Sequence, residues 1–163
     1  MNQQKNPNEP CCPKFNPEPW DEKEHVWNEK LFIQDEVRQI FHIPLNIGKV
    51  ITRMWEKIQK ENAAPPNEEF IMLAYDPSPW KSEIYLTVTK EVPEAKNVKL
   101  SGIYLSKVFD GPYNAVPKWI KVMDKFVEGK GKKVKKYYFY FTTCPKCAKI
   151  YGKNYTVAFA DVE

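Results

Sequence analysis

A short motif is written twice in this chain, and the repetition limits the folds open to it. Val108-Phe109-Asp110-Gly111-Pro112-Tyr113-Asn114 ends an apolar strand pattern, turns on Gly-Pro and opens a helical pattern at Asn114. Ile40-Phe41-His42-Ile43-Pro44-Leu45-Asn46 is a degraded copy: Phe41 and Phe109, Pro44 and Pro112, and Asn46 and Asn114 each stand 68 positions apart. Phe70-Ile71-Met72-Leu73 and Tyr138-Phe139-Tyr140-Phe141 keep the same offset. The order of elements predicts one strand–helix–strand–strand unit used twice.

The first unit reads as a strand over Val37–Pro44, then a helix capped by Asn46, whose side-chain oxygen can accept a first-turn amide. Ile47, Val50, Ile51, Met54, Trp55 and Ile58 form one apolar stripe at helical spacing, and Pro65-Pro66 ends the element. Strands follow over Phe70–Tyr75 and Ser82–Thr89, joined by an Asp76-Pro77-Ser78-Pro79 turn. The second unit has a strand over Val98–Phe109 and a helix with Val116, Trp119, Ile120, Met123 and Phe126 on one face. Gly129 suits that helix's C-terminal end. Strands over Tyr137–Phe141 and Asn154–Val162 flank a longer hairpin that holds Cys144-Pro145-Lys146-Cys147. The expected fold is α+β: duplicated βαββ units in a curved antiparallel sheet, two helices side by side on its outer face, and a central cleft.

Residues 1–30 are treated separately. Pro7, Pro10, Pro13, Pro17 and Pro19 break regular structure, whereas Phe15, Trp20, Val26 and Trp27 are too apolar for a free tail. An irregular arm packing on the domain is expected there, with a helical turn near Asp21–Trp27. The domain spans 31–163, in halves of about 31–95 and 97–163.

Composition excludes several classes. No stretch approaches the roughly 18 apolar residues of a membrane span, so no membrane partner is expected. The Asn/Gln/Pro-rich start lacks the apolar core of a secretory signal, and the expected location is cytoplasmic. Net charge is +4, with the basic excess at Lys130, Lys132, Lys133, Lys135 and Lys136. A solvated lysine turn that discourages edge pairing accounts for that run better than nucleic-acid binding does. No phosphate loop, nucleophile elbow or paired-carboxylate motif is present.

Here the residues match a family. Phe109-Asp110-Gly111-Pro112-Tyr113 followed by an amphipathic helix, with the strand Glu83-Ile84-Tyr85-Leu86-Thr87-Val88, resembles the GyrI-like small-molecule-binding superfamily. The whole chain resembles its small stand-alone prokaryotic members labelled hydrolases. The resemblance covers about residues 31–163. It implies an aromatic-walled cleft between pseudo-symmetric halves, holding a carboxylate and a small-molecule ligand, with no cofactor. Members bind cationic or aromatic drugs, inhibit gyrase or hydrolyse electrophilic genotoxins. No helix-turn-helix reader accompanies this chain. Where the effector domains carry the cleft carboxylate on the last strand, Asn154 stands here, and Glu83 lies in the first half.

The candidate catalytic pair is Glu83 with Tyr113: one orients water, the other protonates the leaving group. Trp80, Tyr85, Tyr104, Phe109, Tyr138 and Tyr140 are the candidate ligand-binding rings. A polar, exposed sheet face is the plainer account of Glu83, Tyr85 and Thr87. An aromatic core is the plainer account of Phe139 and Phe141. His42 and Asp110 occupy matched turns and could face the cleft from opposite sides, although a hydrogen-bonded turn residue is the simpler role for His42. Cys144 and Cys147 resemble half a zinc knuckle, completed by Cys12 and Cys11, or by Cys12 with His25 or His42. A structural zinc and plain buried thiols both stay open, and a redox role ranks below them. The function expected is hydrolysis of an aromatic or electrophilic xenobiotic; the alternative is a non-catalytic ligand sensor or gyrase-interacting protein. No oligomeric state follows from the sequence.

Overall fold

A computed structural model of the chain describes residues 14–41, 43–143 and 145–163. Strand β1 (Lys23–Ile40) and the two-residue β2 (Ile43–Pro44) lead into helix α1 (Ile47–Lys60). Strands β3 (Met72–Ser78), β4 (Lys81–Thr87) and β5 (Lys96–Asp110) follow. A 3-10 turn (Tyr113–Ala115) opens α2 (Val116–Gly129), and β6 (Val134–Phe141), α3 (Pro145–Tyr151) and β7 (Tyr155–Val162) complete the chain.

The strands run in the order β2-β1-β4-β3-β6-β7-β5, and β5 pairs back on β1. Six antiparallel strands therefore close into a barrel, where an open curved sheet with a cleft was expected. Closure lies in the length of β1. Its segment Phe32–Arg38 pairs with β4, while Lys23–Trp27 and Lys30–Gln34 pair with β5. The ladder slips between Trp27 and Lys30, and there Glu29 takes a positive φ of 51°. Gly102 lies opposite Trp27 with φ +134°, a backbone state open to glycine. The strand thus starts at Lys23 rather than Val37, and the expected helical turn near Asp21–Trp27 is a turn followed by strand. Residues 23–30, assigned to the arm, belong to the barrel.

What remains of the arm in the described residues does pack on the barrel. Phe15 meets the rings of Tyr140 and Tyr155, and Trp20 meets His25 and Phe159. The Val108 amide donates to Asp21 Oδ1 at 3.1 Å, and Lys107 pairs with Glu22.

Alternation along the strands sorts side chains into an interior and two outer clusters. Val50, Met54 and Ile58 of α1 pack on Ile33, Val37, Ile84 and Leu86. Met123 and Val127 of α2 pack on Leu105, Ala158, Ala160 and Val162. The helices thus cover different sectors, each with its own cluster, where one shared layer was expected. The α1 stripe falls on the predicted residues, and the α2 stripe does so at Trp119 and Met123 but adds Val127, because a 3.6-residue period leaves one apolar face.

Local chemistry differs from expectation at two points. Asn46 does not cap α1: its Oδ1 accepts the Arg38 amide at 3.0 Å and ties the helix start to β1. Gly131 rather than Gly129 takes the left-handed state beyond α2, with φ +70°. The longer hairpin expected in the second half carries a short helix, α3. Phe41 and Phe109 have also diverged: Phe41 sits exposed in a turn at φ +46°, whereas Phe109 is in β5.

Two glycines test this backbone argument. Gly102→Ala should lower the unfolding free energy by about 1–3 kcal/mol, since the φ there is strained for any residue with a Cβ. Gly48→Ala, where an added Cβ meets nothing within 4 Å in α1, should raise it by roughly 0.5–1 kcal/mol. Urea midpoints of the two variants check both signs.

Candidate functional site

The barrel interior is built almost wholly from rings. Trp27 and Phe32 come from β1, Tyr85 from β4, Tyr104 from β5, Tyr138 from β6 and Phe159 from β7, and all are buried. Trp27 stacks on Tyr104 at 4.2 Å between centroids, and Tyr138 approaches the rings of Tyr75, Tyr85 and Tyr104. Such offset and edge contacts each add about 0.5–1.5 kcal/mol beyond area burial.

Polar groups gather on one side of this ring cluster. Tyr85 Oη donates to Glu83 Oε2 at 2.6 Å; the two residues are two apart on β4 and therefore share a face. Opposite Glu83 on β3 stands Tyr75. Lys136 of β6 places its ammonium 4.0 Å from the Tyr75 ring centroid and 5.5 Å from that of Tyr138. Asp161 of β7 is in register with both Lys136 and Tyr104. Glu83, Tyr75, Lys136 and Asp161 are all half-buried and form a polar rim beside the buried rings. Gln34, in register with Tyr85, is nearly buried beside them.

Electrostatics follow from burial. Desolvation, then the hydrogen bond to Glu83, pushes the Tyr85 hydroxyl far above its ordinary value. Desolvation likewise raises Tyr138 strongly and lifts Tyr104 to about 12. These phenols stay protonated across the physiological range, and that of Tyr85 serves as the donor to Glu83. Asp161 is raised by desolvation, a shift that Lys135 and Lys136 oppose.

The expected residues divide clearly. Glu83, Tyr85, Tyr104 and Tyr138 meet in the interior. Tyr140 faces the same interior toward its other end, against Phe15 and Phe70. Phe109 points outward and stacks on Trp119 of α2 at 5.3 Å, because alternation puts it on the opposite face from Val108. Trp80 is 57% exposed at the β3–β4 turn, against Phe41. Tyr113 packs edge-on against Phe141 and donates to the Thr143 carbonyl at 3.1 Å. Phe141 lies on the outer face with Phe139, so Tyr113 is not brought to Glu83; Tyr85 is. Asp110 is exposed, pairs with Lys153 and accepts the Asn154 amide, while Asn154 Nδ2 donates to the Gly111 carbonyl. Those two residues hold the Gly-Pro turn. The interior carboxylate of the last strand is Asp161, two residues beyond Phe159 in an otherwise apolar stripe.

Cys11, Cys12, Cys144 and His42 lie outside the described residues. Cys147 is fully buried in α3, and among the described residues no group of three or more His, Cys, Asp or Glu could hold a metal. The other histidine has a structural role. Ser106 Oγ lies 2.7 Å from His25 Nε2 and 2.6 Å from the Trp20 carbonyl. Ser106 has one proton, and only the carbonyl must accept it, so His25 Nε2–H donates to the serine. A serine activated by histidine needs the reverse polarity. Burial, with Lys30 nearby, lowers the His25 pKa and keeps the ring neutral. A pocket of about 610 Å³ also opens between the arm at Phe15–Pro17 and Tyr151, Lys153 and Tyr155. It does not include the ring cluster.

Two pH experiments probe the interior. The raised tyrosines contribute stability that is complete below their unfolded value of 10.0 and is lost as pH climbs through their folded values. Melting temperature should therefore hold to about pH 9 and fall above 10, with tyrosinate absorbance rising together with unfolding. Tyr138→Phe should flatten that fall. Asp161 has the same sign: its contribution is lost as pH rises through its raised value. Asp161→Asn should therefore melt higher than wild type at neutral pH, the gap closing below the ordinary aspartate value of 3.8.

No curated protein matches the sequence. Among solved structures, the fold is similar to a hydrolase from Listeria innocua, at 11% identity and TM-score 0.62, covering 86% of this chain and 91% of that one. An uncharacterized conserved protein from Listeria innocua gives 12% identity and TM-score 0.63 over the same shares. The EcmrR C-terminal domain gives 12% identity and TM-score 0.65, covering 86% of this chain and 94% of that one. These likenesses concern the fold alone. A family model described as bacterial hydrolase matches residues 1–162, and the chain belongs to that family.

Proposed function

We propose that the barrel interior is a small-molecule site in which an aromatic or electrophilic compound is hydrolysed. The observation that carries this reading is the 2.6 Å hydrogen bond between Tyr85 and Glu83 at the edge of a buried ring cluster. Glu83 takes a proton from water as the water oxygen attacks the substrate, and the carboxylic acid so formed returns that proton to the leaving oxygen. Tyr85 orients that carboxylate, as a positioning residue. Tyr138, whose hydroxyl keeps its proton, is the hydrogen-bond donor to the leaving oxygen, in the place expected for Tyr113. Trp27, Tyr75 and Tyr104 supply ring faces for an aromatic substrate.

GyrI-like membership and duplication belong to the same reading. They are supported by the order β1, α1, β3, β4, which recurs as β5, α2, β6, β7. EcmrR has been solved in complex with DNA, and this chain covers 56% of the EcmrR chain there. Nucleic acid is therefore not excluded by the fold, although the aromatic interior favours a small molecule. Without turnover, the same interior would make a ligand sensor.

One variant pair separates the two uses. Against a panel of esters and strained-ring electrophiles, Glu83→Gln should abolish hydrolysis, and Tyr85→Phe should slow it by about 10²-fold or more. Both should keep melting temperatures near wild type. Unchanged rates in Glu83→Gln would remove this carboxylate from the reaction, and ligand binding without any turnover in wild type would leave the sensor.

A further inference from the structure

Five lysines crowd the segment from Lys130 to Lys136, and strand alternation turns one of them inward. Lys136 shares its face with Tyr138 and Tyr140, whereas Lys135 is exposed. The ammonium of Lys136 sits over Tyr75 at 4.0 Å and reaches Tyr138 at 5.5 Å, and those two rings lie 5.7 Å apart. A cation within about 6 Å of a ring centroid is held by the negative face of the ring. Asp161 of β7, in register with Lys136, acts on it electrostatically, and Glu83 faces the same space from β4.

Two carboxylates and a set of electron-rich rings would by themselves attract an organic cation. Here the cation-accepting position between Tyr75 and Tyr138 is already taken by the chain's own ammonium. An incoming cation would have to displace that lysine or lie beside a like charge, and both cost affinity. A neutral ligand meets no such cost, and an oxygen on it can accept one of the three ammonium hydrogens.

We propose that Lys136 is a specificity residue. It occupies the cation subsite of the aromatic rim, so the site selects neutral aromatic compounds bearing a carbonyl or ether oxygen over organic cations. This rests on the interior being the ligand site. It goes further by naming the ligand's charge class and the side chain that sets it.

The test uses two probes of nearly one shape, phenacyltrimethylammonium and its uncharged isostere neopentyl phenyl ketone. Binding to the full chain is followed by calorimetry and saturation-transfer NMR. Wild type should prefer the ketone by about tenfold or more. Lys136→Met should bind the cation at least about tenfold tighter than wild type does, and Lys136→Arg should keep the wild-type preference. Equal or tighter binding of the cation by wild type would overturn the inference whether or not any variant folds. An unchanged probe ratio in folded Lys136→Met, or in Lys136→Gln should the methionine variant not fold, would overturn it too. Binding of neither probe to wild type would overturn the interior as a ligand site, and the inference with it.

Discussion

The pairing of β1 with β5 is the interaction on which the rest of the molecule depends. A sheet of six strands left open would present two edges of unsatisfied amides and carbonyls, each an invitation to aggregation. β1 avoids this by being 18 residues long, well beyond the usual 3–10. Phe32, Ile33 and Gln34 are bonded on both sides, to β4 and to β5, so this short run couples the two seams. The slip after Trp27 and the glycine opposite it let one strand serve two neighbours that diverge. The ladder contributes about 1 kcal/mol net per backbone hydrogen bond. Its larger effect is to enclose the rings of β1, β4, β5 and β6 in one interior.

Enclosure then sets the chemistry. Phenols removed from water hold their protons, and one carboxylate, Asp161, sits where its charged form is disfavoured. Such groups are poor choices for stability and useful ones for handling a polar centre on an apolar ligand. Glu83 stands apart from them by having a fixed donor, Tyr85, so its lone pairs are oriented before any substrate arrives.

Much of this was legible in the sequence because it depends on period alone. The stripes at Val50, Met54 and Ile58 and at Trp119 and Met123 mark buried helix faces, and strand alternation puts Glu83 with Tyr85 and Tyr138 with Tyr140. Closure was not legible. A curved sheet and a barrel share the same alternation, and the difference lies in how far β1 extends back toward a segment dense in prolines. Because Trp27 was assigned to an arm, it was missed as a wall of the interior. Lys136 was hidden in a run of lysines, and its inward face against Tyr75 and Tyr138, with its register on Asp161, sets it apart. Phe109 and Tyr113 stand away from Glu83, and a motif's similarity carries no information about which way each of its side chains faces.

The barrel is not closed equally all round. β3 and β6 meet at a single register position, Ala74 with Phe139, whereas β6 and β7 pair along most of their lengths. A ring of strands with one such seam behaves like a cuff with a loose fastening: thermal opening concentrates there, and the strongly bonded side acts as the spine. Tyr75 and Tyr138 flank that seam, so access to the interior and the breathing of the fold become a single motion. A guest seated between those rings would fasten the cuff, stiffening both edges without forming a new backbone bond.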